Sequence, residues 1–348
     1  MTKACFAIPG DLHTPTGGYV YDRQVMALLP SRGVDVRHLP LPDGFPFPSK
    51  AALEDTGRLL AGVPAQEVLA IDGLALGVLP PALLEQIAAP LIALLHHPLG
   101  LETGLNPEQS AGLLASEKAA VARARHVIVT SQTTARTLRD LSFAPPPPVT
   151  VAVPGVERGR RAPGNANGLE IISVGSVVPR KGYDILIAAL ARLRDEPWRC
   201  TIVGGLDRDP ACAAKLRDQV SNVRLEDRVS FAGTLRSDAI SALLGKADIF
   251  ALPSRYEGYG MAFAEAMAHG LPVVAARAGA VPGTVPPEAG LLVAPDDDRA
   301  FADALGLLMR DTALRRRLAD GAWYHAQTLP RWEDTADIVA GVIGQVAA

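Results

Sequence analysis

The sequence predicts an α/β protein built from two doubly wound domains. Three observations carry this. Short apolar, β-branched runs recur along the chain with helical patterns between them. The alternation breaks at a polar, glycine-bearing stretch near the middle and then restarts. At 348 residues the chain exceeds what one hydrophobic core organises.

In the first half, Ala4–Ile8 is a candidate buried strand, followed by a loop ending in Gly17 and Gly18. The helical pattern after it sets Tyr21, Val25, Leu28 and Leu29 on one face, with Gly33 just beyond its end. Strand, glycine loop and helix in that order open a doubly wound unit, and the two glycines let backbone approach a phosphate. Taken alone, they fit an ordinary turn equally well. Val34–Leu39 reads as the second strand, Glu54–Leu60 as helix and Val68–Asp72 as the third strand. Asp72 suits a turn or helix cap. Leu91–Leu95 is a further apolar run, ending in His96 and His97, where a parallel strand delivers residues to a ligand. Ala111–Arg125 reads as helix, His126–Thr130 as strand, and Ser131 as the cap of the next helix. Pro145–Pro148 can be neither helix nor central strand. The domain boundary falls between Pro154 and Gly168, in a segment without periodicity. This gives a first domain of residues 1–155 and a second of residues 168–329.

The second half restarts with strand Glu170–Val174, the loop GSVVPRKGYD and the helix Ile185–Leu193. Arg180 and Lys181 lie in that loop, where a cation can meet a diphosphate at a helix end. Strands at Arg199–Val203 and Val229–Phe231 and helices at Ala213–Gln219 and Ile240–Leu244 follow. The stretch PSRYEGYGMAFAEAMAHGLPVVAA, Pro253–Ala276, then sits between the apolar runs Ala247–Leu252 and Pro272–Ala276. It turns through Gly258, Tyr259 and Gly260 into a helix, which Gly270 caps and Pro272 stops. Glu257 precedes that helix and Glu265 is expected about two turns inside it, with seven residues between them. Both can face a ligand lying across the helix start, whose N–H groups suit a phosphate. Gly290–Val293 reads as a last strand, Ala300–Met309 and Ala313–Leu318 as helices, and residues 330–348 as a final helix.

Composition narrows the function classes. A 48% hydrophobic, 20% charged chain of net charge −3 is globular and is no bulk polycation for nucleic acid. Cys5, Cys200 and Cys212 form neither zinc spacing nor a disulfide framework, which points to a reducing cytoplasm. No apolar run reaches the ~20 residues of a membrane span. No metal-ligand cluster or well-placed D-x-D motif is evident, so no metal and no cofactor are expected.

The string from Glu257 through Gly258, Tyr259, Gly260, Met261 and Ala262 to Glu265 and PVV resembles the donor-site signature of family 4 retaining glycosyltransferases. The resemblance spans nearly the whole chain and is strongest from Gly168 onward. It implies a GT-B architecture, two facing Rossmann-like domains with a donor cleft between them, and a last helix that packs back on the first domain. It implies transfer of a sugar from a nucleoside diphosphate sugar with retention of anomeric configuration. Glu265 would then bond the ribose and Glu257 the sugar hydroxyls, with backbone at Gly260, Met261 and Ala262 steadying sugar and phosphate. Gly17 and Gly18 would lie beside the diphosphate, and His96, with His97 in reserve, near the transferred sugar. In the family's G-R-x3-5-K-G motif both basic residues neutralise the leaving pyrophosphate. Here Lys181 matches, while Ser176 stands in the arginine's place and Arg180 lies in a neighbouring register. The acceptor domain has eleven Lys/Arg against thirteen Asp/Glu in residues 1–150 and no clear basic amphipathic helix, which favours a small soluble acceptor over lipid or glycan. The competing readings are a sugar-nucleotide epimerase of similar fold and a non-catalytic sugar-nucleotide binding protein.

Overall fold

The computed structural model describes residues 1–141, 147–164 and 168–348. Pro145 and Pro146 of the expected proline spacer, and residues 165–167 of the expected linker, lie outside these. The chain divides into two compact units, residues 1–155 with 330–348, and residues 156–329.

The first unit holds a parallel sheet of β1 (Thr2–Pro9), β2 (Val34–Leu41), β3 (Val68–Asp72), β4 (Leu91–Leu95), β5 (His126–Val129) and β6 (Val149–Val151), in the order β2-β1-β3-β4-β5-β6. β3, β4 and β5 are buried at every position, as in a parallel sheet covered on both faces, which is why they are apolar apart from Asp72 at the end of β3 and His126 at the start of β5. The order reverses between β1 and β3. At such a switch the loops after neighbouring strands diverge and leave a crevice at the strands' carboxyl ends. The C-terminal helix Trp332–Ala347 packs against β1, β3, β4 and β5. Its Thr335 hydroxyl donates to the Val153 carbonyl at 2.7 Å.

The second unit holds β7 (Leu169–Val174), β8 (Trp198–Val203), β9 (Val229–Gly233), β10 (Ile249–Leu252), β11 (Val273–Ala276) and β12 (Gly290–Val293). These too are all parallel, in the order β12-β11-β10-β7-β8-β9, with the switch between β7 and β10. Its core is one cluster that runs from Val156 to Ala326 and includes Phe250, whose ring meets Phe263 edge-on at 5.5 Å.

Element boundaries differ from the sequence reading at the ends. The helix expected over residues 111–125 is Pro107–Val121. Asn106 starts it early, through a capping box with Gln109 and a proline at the first position. Short helical turns at Gly73–Leu76, Pro81–Leu84 and Val281–Thr284 were not anticipated. Each is a single turn and shows no periodicity. The helix after Gly260 starts at Met261, so Glu265 lies in its second turn rather than two full turns in.

Candidate active site

The two strands flanking the second unit's switch deliver its charged residues. After β7 the chain makes a short helical turn, Pro179–Lys181, and leaves it at Gly182 with φ +68°. A Cβ on Gly182 would stand 2.1 Å from the Pro253 carbonyl oxygen, so only glycine lets this turn lie against the end of β10. That packing puts the Lys181 ammonium 2.7 Å from Glu257 Oε1. Arg180, expected from the sequence among the donor-binding residues though in a neighbouring register, stands 3.5 Å from Glu257 Oε2 and donates to the Tyr256 carbonyl at 2.9 Å. Ser254 adds a 2.6 Å hydrogen bond to Glu257 Oε1. Both basic residues of the loop thus converge on one carboxylate.

Glu257 is 6% exposed. Burial alone would push its carboxyl up. Lys181 and Arg180, with hydrogen bonds from Lys181 and Ser254, outweigh that and hold it below the usual value. Its backbone is braced from the loop after β11. The Ala280 N–H donates to the Glu257 carbonyl at 2.8 Å, and a Cβ on Gly279 would meet that oxygen at 2.4 Å.

Glu265 is its opposite. It is half-buried on the helix Met261–Ala268, with no side-chain hydrogen bond or ion pair among the described residues, and burial pushes it up to about 7. The same helix starts from Gly260, at φ +92°, which brings no side chain to cap it. Its first N–H groups, at Met261 and Ala262, therefore lack a side-chain acceptor and suit an anion. The Tyr259 carbonyl accepts from the Thr284 hydroxyl at 2.6 Å. The Tyr259 hydroxyl is buried without a hydrogen bond.

Sequence reasoning missed the residue that fixes the basic turn. Arg255 makes a paired contact to Asp184, at 2.7 and 3.0 Å, and a 2.7 Å bond to Asp296. Its N–H donates to the Arg180 carbonyl at 2.7 Å, and its guanidinium to the Pro179 carbonyl. The planar fork of arginine suits such convergent contacts. Position 255 lies two residues before the signature string, and nothing in spacing alone separates it from a solvated arginine.

The first unit gathers its own group at its switch. The helix Gly17–Leu28 begins at Gly17, and its N-cap residue Thr16 gives no side-chain bond. A Cβ on Gly18 would lie 3.3 Å from the His96 ring. His96, at the end of β4, has Nε2 3.5 Å from Asp72 Oδ2 and 3.7 Å from Asp22 Oδ1. His97, the reserve choice, points its Nε2 to Glu102 at 3.3 Å instead. Asp22 and Asp72 were not among the expected site residues. Asp72 does cap a helical turn, accepting from Leu74 N–H at 2.8 Å, but its second oxygen faces His96.

Together Asp22, Asp72 and His96 bring ligand-type atoms within 4.8 Å of one another, a spacing in which a cation could in principle sit. The sequence showed no such cluster because its members are 50 and 24 residues apart. The imidazole ring itself faces both carboxylates. Burial lowers the His96 pKa, but the contacts to Asp22 and Asp72 outweigh it and raise it to about 10. Burial raises Asp22 to about 6 against the pull of His96. An ion triad is the result. The acidic strings elsewhere are structural. Asp209 caps the helix Pro210–Asn222, Asp296 binds Arg255, and Asp297 caps the helix Asp298–Arg310.

Comparison with known proteins bears on the family and the fold. Residues 159–323 match the profile of the family described as glycosyl transferases group 1. A D-inositol 3-phosphate glycosyltransferase of Acidothermus cellulolyticus is 33% identical over 241 residues, which is 64% of this chain and 53% of that protein. The chain thus spans about half the length of that relative. A sucrose-phosphate synthase from Thermosynechococcus elongatus superposes with a TM-score of 0.82 at 24% identity, over 98% of both chains. Alr3699/HepE of Anabaena, in complex with UDP-glucose, superposes at 0.75 with 20% identity, over 98% of this chain and 99% of that one. The two structural likenesses establish the fold, which is GT-B. Through residues 159–323 this chain belongs to the glycosyl transferases group 1 family.

Proposed function

We propose that the protein is a retaining, metal-independent glycosyltransferase that moves a hexose from a nucleoside diphosphate sugar to a small soluble acceptor. The observation that carries this is the convergence of Lys181 and Arg180 on Glu257 at the switch of the second sheet, beside an uncapped helix start. A diphosphate brings negative charge to cations that otherwise hold one another's partner, and the Met261 and Ala262 N–H groups add donors. Glu257 is then released to accept from sugar hydroxyls, and Glu265 to accept from the ribose.

In this reading the bond from the anomeric carbon to the diphosphate oxygen breaks as the acceptor oxygen bonds to the same face. The departing phosphate oxygen takes the acceptor's proton, so no protein nucleophile is needed. Lysine, arginine and helix N–H groups stabilise the leaving charge in place of a metal. The acceptor is proposed as a small polyol or its phosphate, in line with the D-inositol 3-phosphate named for the Acidothermus relative. A cytoplasmic location follows from sugar nucleotides as co-substrates.

The test is a panel of sugar nucleotides, starting with UDP-glucose, offered with inositol phosphates and free sugars. Transfer should appear, persist in excess chelator and give product of the donor's anomeric configuration by NMR. Glu257→Gln should lower it by roughly 10²-fold or more, because the shape remains and the charge is lost. Inverted product, strict dependence on a divalent cation, or unchanged turnover in Glu257→Gln would refute the corresponding part.

A further inference from the structure

The Asp22–Asp72–His96 group carries a charge that its own protons do not balance. Asp22 is fully buried, and neither of its carboxylate oxygens has a hydrogen bond among the described residues. Asp72 is 1% exposed, with one oxygen held by Leu74 N–H and the other facing His96. Both acids approach the same ring atom, Nε2, at 3.7 and 3.5 Å. That atom carries at most one proton, which can bridge to one carboxylate and not to both. Charge-assisted N–H···O bonds close to roughly 2.7–2.9 Å, and neither contact does. Two buried carboxylates around one imidazolium also leave a negative charge uncompensated, which is costly away from water. Arg23, next along the helix, lowers Asp22 only weakly, and its guanidinium donates to the Leu12 and Thr14 carbonyls.

A divalent cation removes both defects. Zinc bonds imidazole nitrogen and carboxylate oxygen at about 2.0–2.2 Å, which sets tetrahedral ligand atoms roughly 3.4 Å apart. The observed 3.5 and 3.7 Å fit that spacing better than they fit hydrogen bonds, and all three atoms lie within 4.8 Å of one another. A 2+ charge cancels both carboxylates.

We propose that Asp22 Oδ1, Asp72 Oδ2 and His96 Nε2 bind one divalent cation of the zinc class, with water as its fourth ligand. The Nε2 proton passes to water as the cation enters, since a ligating imidazole is neutral. The ligands come from three elements: the helix Gly17–Leu28, the end of β3 and the residue after β4. The ion therefore ties that helix to two strand ends. Contacts behind the ligands hold them in place, as around built metal sites. Leu74 N–H orients Asp72, and the Thr130 and Thr134 hydroxyls donate to the His96 carbonyl at 3.2 and 3.4 Å. Tyr21 meets the ring edge-on at 5.4 Å. The exposed 22% of the His96 side chain gives an entry side. All three ligands belong to the first unit, and the groups proposed to stabilise the diphosphate belong to the second. The ion is thus a clasp within the first unit and takes no part in the proposed neutralisation of the leaving group.

The experiment titrates the metal-stripped full chain with Zn2+ by calorimetry and with Co2+ by visible absorption, in wild type, Asp22→Asn, Asp72→Asn and His96→Gln. Asn keeps the volume of either acid, and at position 72 it keeps an oxygen for Leu74 N–H. Wild type should bind one equivalent, and Co2+ should show a tetrahedral d–d spectrum without a thiolate charge-transfer band. Each variant should weaken binding by ~10²-fold or more, since each removes a direct ligand. Zinc should also raise the melting temperature of wild type, reversibly with chelator, which needs no variant to fold.

No saturable binding up to about 0.1 mM metal overturns the proposal, because a built three-ligand site fills well below that. Binding that survives Asp22→Asn and Asp72→Asn also overturns it, as does a thiolate band, which would place the metal on a cysteine. No donor or acceptor enters these measurements, so their outcome stands apart from whether any sugar nucleotide is turned over.

Discussion

At the scale of single residues, the question is which group meets the leaving diphosphate when Ser176 stands where the family has arginine. Lys181 and Arg180 reach opposite oxygens of Glu257 at 2.7 and 3.5 Å, so either can turn to a phosphate. The shorter, more buried contact belongs to lysine. A unit charge pair ~4 Å apart is worth about 4 kcal/mol at an effective dielectric near 20, before desolvation. Lys181→Ala should therefore lower turnover on the order of 10³-fold and Arg180→Ala by less, with strong non-additivity in the double variant. A nearly silent Lys181→Ala beside a severe Arg180→Ala would move the phosphate clamp one residue earlier. Glu265 gives a pH signature instead. Burial raises it to about 7, and its carboxylate form is the one that accepts two ribose hydroxyls. Donor affinity should rise as pH increases through about 7, and Glu265→Gln should flatten that rise with turnover largely kept. Donor affinity flat with pH in wild type would remove Glu265 from the ribose.

At the scale of elements, the segment after β4 shows what the sequence disclosed and what it did not. His96 was legible because an apolar run ends on it. The partners that hold the segment were not, since they come from other elements. Glu117, fully buried on the helix Pro107–Val121, accepts from Leu99 N–H at 3.1 Å, while its second oxygen has no hydrogen bond. In sequence it is one charge in an alanine-rich helix, and no period marks it as internal. Burial pushes Glu117 up to about 8, only partly offset by the Leu99 bond. A carboxyl whose folded pKa lies above its unfolded value of 4.5 favours the fold fully below that value. The contribution is lost as pH rises toward about 8. Thermal stability of wild type should accordingly fall between pH 5 and 8, and Glu117→Gln should flatten much of that fall. Parallel melting curves for the two across this range would show that Glu117 ionises without cost. Arg255 teaches the same lesson in the second unit. Its charge was visible and its brace on Pro179 and Arg180 was not, because Asp184 and Asp296 lie 71 and 41 residues away.

At the scale of the whole molecule, both sheets are doubly wound, yet they reverse at different places. The first does so between β1 and β3 and the second between β7 and β10. Alternation of strand and helix was enough to foresee two such units. Strand order was not, since it follows from which crossover turns back, and no local pattern records that. The orders matter because they decide which loops become neighbours. In the second unit they join the loop after β7 to the loop after β10, which brings Lys181 to Glu257 across 76 residues of chain. Every group proposed for the diphosphate's charge and for the ribose, namely Arg180, Lys181, Met261, Ala262 and Glu265, then lies in residues 156–329. Nucleotide recognition should be a property of that unit, and hydrogen exchange on the intact chain can read it. UDP alone should slow exchange at 176–183 and 257–265, because it supplies the missing acceptor for the helix start and draws the basic turn against it. These segments are loops and helix ends, which open easily when empty, so protection there should be well above that in β7 or β10, already near the limit. Protection confined to residues 1–155 would place the nucleotide in the first unit and reverse the assignment of donor and acceptor sides.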